Sequence, residues 1–186
     1  MRKMLNLFAC VSLAVLTVSC GILGMGVNNQ AGATNGQASG MALKNLYSQY
    51  QADGKVDVSN LNNLINMAQL ANSIQGLKNV DDKSTFYTDF ASGLVLGSSN
   101  LVTDQISAPV TNTLQTLAKG TDLTKITSAG AAALAQSQQT SQQAVQQISE
   151  KGESKVADAK EIISDAKDEV ESTLSSLNSI FGMFGK

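Results

Sequence analysis

Residues 61–77 read LNNLINMAQLANSIQGL, and their spacing decides the fold class. Leu61, Leu64, Ile65, Ala68, Ala71, Ile74 and Leu77 recur at three- and four-residue intervals. Such a recurrence lays one apolar stripe along a helix, here with Asn and Gln opposite. Ser59 is the expected N-cap, since a hydroxyl there can accept one of the unpaired N–H groups of the first turn. Gly76 and Asn79 are expected to end the helix.

The same period continues on both sides. Upstream, Leu43, Leu46, Tyr47 and Tyr50 predict a short helix over 41–51, closed by a turn at Ala52-Asp53-Gly54-Lys55. Downstream, Asp82 or Ser84 can cap a helix carrying Phe86, Phe90, Leu94 and Leu101. Gly93 and Gly97 fall four apart on that same face. Small residues there permit a neighbouring backbone to come close, although each interior glycine also weakens a helix by about 1 kcal/mol. Pro109 is expected to end or kink what precedes it. Val110, Leu114 and Leu117 then restart the pattern up to Lys119-Gly120.

Thr121 or Asp122 can cap a last, long helical segment over 121–186. Its stretch 129–149 is mostly Ala, Gln and Ser, which predicts either a thin packed face or partial disorder. Beyond Gly152 an apolar seam sharpens: Val156, Ala159, Ile163, Ala166, Val170, Leu174, Leu177, Phe181 and Phe184. This is a heptad pattern with one extra residue near Leu174. Between Glu150 and Glu171, eight acids and four lysines cover the other faces. Only Lys155–Asp158 and Lys167–Glu171 stand at a helpful spacing. The seam calls for a partner helix, either the chain's own 86–117 region, which is favoured, or a second copy. The terminal cluster Ile180 to Phe184 could also meet lipid or a partner's groove. No alternation of strand period runs further than Lys55–Val58, so the expected class is all-α.

The N-terminus has a different character. Met1-Arg2-Lys3 is positive, and the run Met4 to Val18 is apolar apart from Asn6, Ser12 and Thr17. This is the layout of a secretory signal, too short for a comfortable membrane span, which takes about 20 apolar residues. Leu16-Thr17-Val18-Ser19-Cys20 resembles the lipobox of bacterial lipoproteins, in the looser form found in Bacteroidota. The resemblance covers the first twenty residues. It implies diacylglycerol on the Cys20 thiol, cleavage before it by signal peptidase II and acylation of the new amine. Thr17 stands where the family usually has Leu. One acyl chain binds membranes marginally and several bind stably, at about 0.8 kcal/mol per methylene.

The expected organisation is therefore a signal peptide over 1–19, lipidated Cys20 with a flexible Gly/Asn/Gln/Ala tether to residue 40, a helical domain over 41–120, and the C-terminal helical segment. Twenty tether residues would span about 25 Å. Surface-exported lipoproteins of the Bacteroidota usually carry an acidic run after the cysteine; none follows Cys20, so the resemblance implies the periplasmic face of the outer membrane.

Composition narrows the chemistry. The chain has no His and no Trp, and its only Arg is Arg2. Cys10 lies within the signal, so the mature chain has no pair of thiols for a disulfide. No Ser-His-Asp or Cys-His pair, His-containing metal site or guanidinium fork for phosphate can be assembled. Without Arg2 and Lys3, 11 lysines face 15 acids, a formal charge of −4. Such a chain is a poor nucleic-acid partner. Gln49 to Asn60 resembles the second half of an EF-hand loop, with Gly54 at the turn and Asp57 among the ligand positions. Gln49 and Gln51 replace acids, however, and Asn60 replaces the bidentate Glu. Two carboxylates are few for Ca²⁺, so a metal-free connection between helices is expected. No catalytic residue, metal ligand or cofactor is assigned, and Cys20 is the single site residue.

The leading expectation is a lipid-anchored, non-catalytic structural or interaction protein. Its partners would be the membrane, through the anchor, and a protein or second copy at the C-terminal helix. The alternative is a helical binding module for a small apolar or lipidic ligand. A hydrolase using Asp or Glu and Lys ranks last.

Overall fold

A computed structural model describes residues 28–143 and 161–184. The expected signal peptide, Cys20, the first part of the expected tether, and the seam positions Val156 and Ala159 with the Lys155–Asp158 pair lie outside the described residues. Among those described the architecture is all-α, without a strand. The helices are α1 (Gln30–Asp53), α2 (Leu61–Ile74) with a 3₁₀ turn at Gln75–Leu77, α3 (Thr85–Gly97), α4 (Asp104–Gly120), α5 (Leu123–Gln143) and α6 (Lys167–Phe181).

The stripe of residues 61–77 behaves as its period requires. Leu64, Ala68, Ala71, Ile74 and Leu77 are buried, while Leu61 and Ile65 pack at the margin. The cap falls one residue later than expected. Asn60, not Ser59, accepts the Asn62 N–H through its side-chain oxygen at 2.9 Å. Ser59 is instead held by Asp57, whose Oδ1 accepts from the Ser59 N–H at 2.9 Å and from its hydroxyl at 2.8 Å.

The largest correction concerns the expected tether. Residues 30–40 are helical and form the first half of α1, which begins where Asn29 accepts the Gly32 N–H at 3.0 Å. Gly32, Ala33, Gly36, Ser39 and Gly40 are buried. Gly32, Gly36 and Gly40 lack a side chain because the backbone of α3 lies directly against them. A methyl group on Gly40 would sit 2.5 Å from the Leu94 carbonyl oxygen, and one on Gly32 equally close to that of Phe86. From the other side, a methyl on Gly97 would come within 2.7 Å of the Gln37 carbonyl carbon. The register Gly32–Phe86, Gly36–Phe90, Gly40–Leu94 ascends on both helices, so α1 and α3 run parallel. The close approach expected of Gly93 and Gly97 is thus present, with the supposed tether as its partner. Asp89, buried on the same face of α3, accepts the Asn29 N–H beside the start of α1. A carboxylate there suits the positive end of the helix dipole.

Two other expected breaks move. Pro109 lies inside α4 and neither ends nor starts a helix. Its missing N–H removes one bond, and Val110, Thr111 and Leu114 behind it are fully buried and hold the helix in place. The chain turns earlier, after α3, where Ser99 and Asn100 take positive φ of 52° and 72°. Ser98 accepts the Val102 N–H at 2.9 Å and fixes that turn. Leu101 therefore belongs to the connection and not to the helix.

Among the described residues the expected C-terminal segment is helical, with an interruption at Ala166. Asp122 caps α5 through the Thr124 N–H at 3.0 Å, and α5 is described to Gln143. Residues 161–165 are helical, Ala166 is a turn, and α6 follows. The seam packs on its own chain, as favoured. Ala166, Val170, Leu177, Phe181 and Phe184 are buried in the same core as Val110, Leu114 and Leu117 of α4. The ring of Phe181 lies 5.3 Å from Tyr47 and 5.2 Å from Tyr50, both on the last turns of α1. The Lys167–Glu171 pair is present at 3.8 Å between exposed side chains. A second pair, Lys125–Glu169 at 3.0 Å, ties α5 to α6. Glu169 beside it raises the pKa of Lys125. With Lys125 half exposed, this pair contributes little. One core, from Ala42 and Leu43 through Ile126 to Phe184, joins the segments divided at residue 120.

Candidate functional site: an uncharged groove between α1, α2 and α5

A groove of about 710 Å³ opens along α1, α2 and α5. The glycine face of α1 is turned to α3, which leaves Thr34, Asn35, Gln37, Ala38 and Met41 of the same turns to form one wall. α1 and α2 run antiparallel. Their contact is pinned by Ser39 and Ser73, whose hydroxyls lie 2.6 Å apart in full burial, and at the surface by Asn45 donating to Asn66. Gly130 lets α5 settle on Ala68 of α2, where any side chain would strike the Ala68 methyl. Ala68, Ser73 and Gly130 are the buried residues of the lining. Ile65, Ala131 and Leu134 add apolar walls, and Leu134 remains 46% exposed. Asn35, Gln37, Gln69 and Asn72 bring primary amides to the lining and have no hydrogen-bond partner among the described residues.

Among the described residues of the lining there is no Asp, Glu, Lys or Tyr. The groove can therefore hold an apolar body and offer neutral donors and acceptors at its edge, but it supplies no acid, base or counter-charge. Its volume falls within the range of about 300–1,000 Å³ common for small-molecule sites.

The EF-hand-like loop is organised differently. Gln49 lies within α1 and donates to Asp53, and Gly54 takes the left-handed turn at φ 69°. Asp57 faces its own turn, and the two Ser59 donors hold its carboxyl below the ordinary aspartate value. The stabilisation from those bonds is present above the ordinary value and is lost as pH falls through the lowered one. Among the described residues no three His, Cys, Asp or Glu side chains gather as a metal site. No described helix is long and apolar enough to cross a membrane. Cys20, the residue assigned from the sequence, lies outside the described residues.

One further ionisable group is placed by the core. The Tyr87 hydroxyl donates to Asn112 at 2.7 Å, and burial, with the nearby Asp82 charge, pushes its pKa above the ordinary tyrosine value of 10. The folded chain thus holds this proton more tightly than the unfolded one. The associated stability is full below pH 10 and is lost as pH rises through the raised value. Alkaline unfolding of Tyr87→Phe is expected to lose that component of the pH dependence. An unchanged alkaline profile would count against it.

Comparison with protein-family models, curated proteins and solved structures finds no match.

The groove is hidden in the sequence because Thr34 to Ala38 have the composition of a tether. A signal was nonetheless present. Gly32, Gly36 and Gly40 repeat every four residues, the same interval as Gly93 and Gly97.

Proposed function

We propose that this chain is a lipid-anchored cell-envelope protein with a non-catalytic structural or interaction role. The observation that carries the reading is the uncharged groove, a surface suited to recognition that brings no acid–base pair together. The lipobox-like Leu16–Cys20 supports the anchor, and the absence of an acidic run after Cys20 supports the periplasmic face of the outer membrane. Buried positions of the α6 seam pack within the chain's own core, and a protein partner or second copy at the C-terminal helix would meet its remaining faces. The test is metabolic labelling with palmitate. Label is expected in the wild-type chain and absent from Cys20→Ser. Equal labelling of both, or of neither, removes the anchor.

The groove also favours a second reading, a helical module for a small apolar or lipidic ligand. Its size and its wall of Ala38, Met41, Ile65 and Leu134 support that reading.

A further inference from the structure

We infer that the groove between α1, α2 and α5 takes the alkyl chain of an uncharged amphiphile, one whose head carries hydroxyl or amide groups. The inference rests on the second reading above and adds the charge of the head. Ala38, Met41, Ile65, Ala131 and Leu134 offer apolar surface to the chain. Among the described residues a head group then meets neutral partners, the amides of Asn35, Gln37, Gln69 and Asn72, which both donate and accept and have no partner there.

Charge complementarity selects among lipids. A carboxylate, phosphate or ammonium brought into this groove finds no opposite charge among the described residues of its lining. Taking a charge out of water without a partner is strongly unfavourable, whereas a glycerol hydroxyl replaces its water bonds with amide bonds. The lysine nearest in sequence to the α1 wall is Lys44, and its ammonium donates to Ser99 beyond the end of α3. Lys125, on the α5 side, is paired with Glu169.

The test uses the full chain in phosphatidylcholine vesicles with photoactivatable C12 probes of identical tail and different head: a monoacylglycerol, a fatty acid and an alkylammonium. Crosslinked positions are mapped by mass spectrometry. The monoacylglycerol is expected to label α1, α2 and α5 at Met41, Ile65 and Leu134, about tenfold more than either charged probe, a ratio equivalent to about 1.4 kcal/mol. Ala131→Phe, at an exposed position on the groove wall, should abolish that labelling while leaving the helical signal unchanged. Equal labelling of the groove by all three heads overturns the inference about charge and leaves the binding reading standing. Labelling that ignores the groove, or that survives Ala131→Phe, overturns both.

Discussion

Gly36→Ala should destabilise the fold by about 3 kcal/mol, at the upper end of what overpacking costs. For a chain of this size that is about 6–12 °C in Tm. The added methyl lands on the Phe90 carbonyl oxygen, with the Phe90 carbonyl carbon 2.8 Å away and the Leu94 nitrogen 2.9 Å away. All three atoms are backbone in the middle of α3, so no side-chain rotation relieves the clash. The two helices must separate, and every residue between them loses contact. An intrinsic gain of about 1 kcal/mol, from replacing glycine inside a helix, works in the opposite direction and is smaller.

Two controls isolate the cause. Gly120 has nothing within 4 Å of its would-be methyl, so Gly120→Ala is expected to stabilise by about 0.4–1 kcal/mol. Gly93 faces α1 from the other side, with Gln37 nitrogen 3.0 Å from its would-be methyl. Gly93→Ala alone should also be costly. The double variant Gly36→Ala/Gly93→Ala should cost less than the sum, because helices already forced apart accept the second methyl more easily. Thermal or urea unfolding monitored by the helical signal measures all four. A Gly36→Ala chain that melts with the wild type would sink the parallel packing of α1 on α3.

The reason the α1–α3 contact was only half legible is physical. Sequence patterning detects burial through large apolar side chains, because those carry most of the area removed from water. Residues 61–77 bury Leu and Ile, so their helix is plain from the sequence. Residues 30–40 bury Gly32, Ala33, Gly36 and Gly40, which contribute mainly backbone surface, and Ser39, whose hydroxyl meets that of Ser73. Their composition is that of a linker, and only the four-residue repeat of glycine marks the difference. Gly93 and Gly97 are legible because Phe90 and Leu94 on the same helix supply the conventional signal beside them.

The groove follows the same division. Ile65 and Ala68 belong to the legible stripe of α2, while the α1 wall depends on knowing that residues 34–41 are helical. Other displaced features turn on local competition. Asn60 caps α2 in place of Ser59 because Asp57 already holds the Ser59 hydroxyl and N–H. Pro109 is tolerated because tertiary burial of its neighbours outweighs one missing hydrogen bond. The pause at Ala166, φ −87° and ψ 2°, has no glycine or proline to announce it.

The second large effect expected is at the other end of α1. Phe181→Ala should cost about 3–5 kcal/mol, or about 10 °C in Tm. Phe181 is 4% exposed and meets three aromatic rings, those of Tyr47, Tyr50 and Phe184, at 5.2–5.9 Å. Its loss leaves a cavity bounded by α1 and α6, which are far apart in sequence and unable to collapse on it locally. The same experiment tests self-association through the C-terminal helix. Packing within one chain makes the wild-type and variant midpoints independent of protein concentration, whereas a second copy at that helix makes both rise with concentration. Phe181 and Gly36 act at opposite ends of α1. From Gly36 to Tyr47 the helix rises about 16 Å, at about 1.5 Å per residue. The double variant Gly36→Ala/Phe181→Ala should therefore lose the sum of the single losses within about 0.5 kcal/mol. A shortfall larger than that would mean that α1 carries strain along its length from the glycine contact to the aromatic cluster, and that the two ends of the fold are coupled.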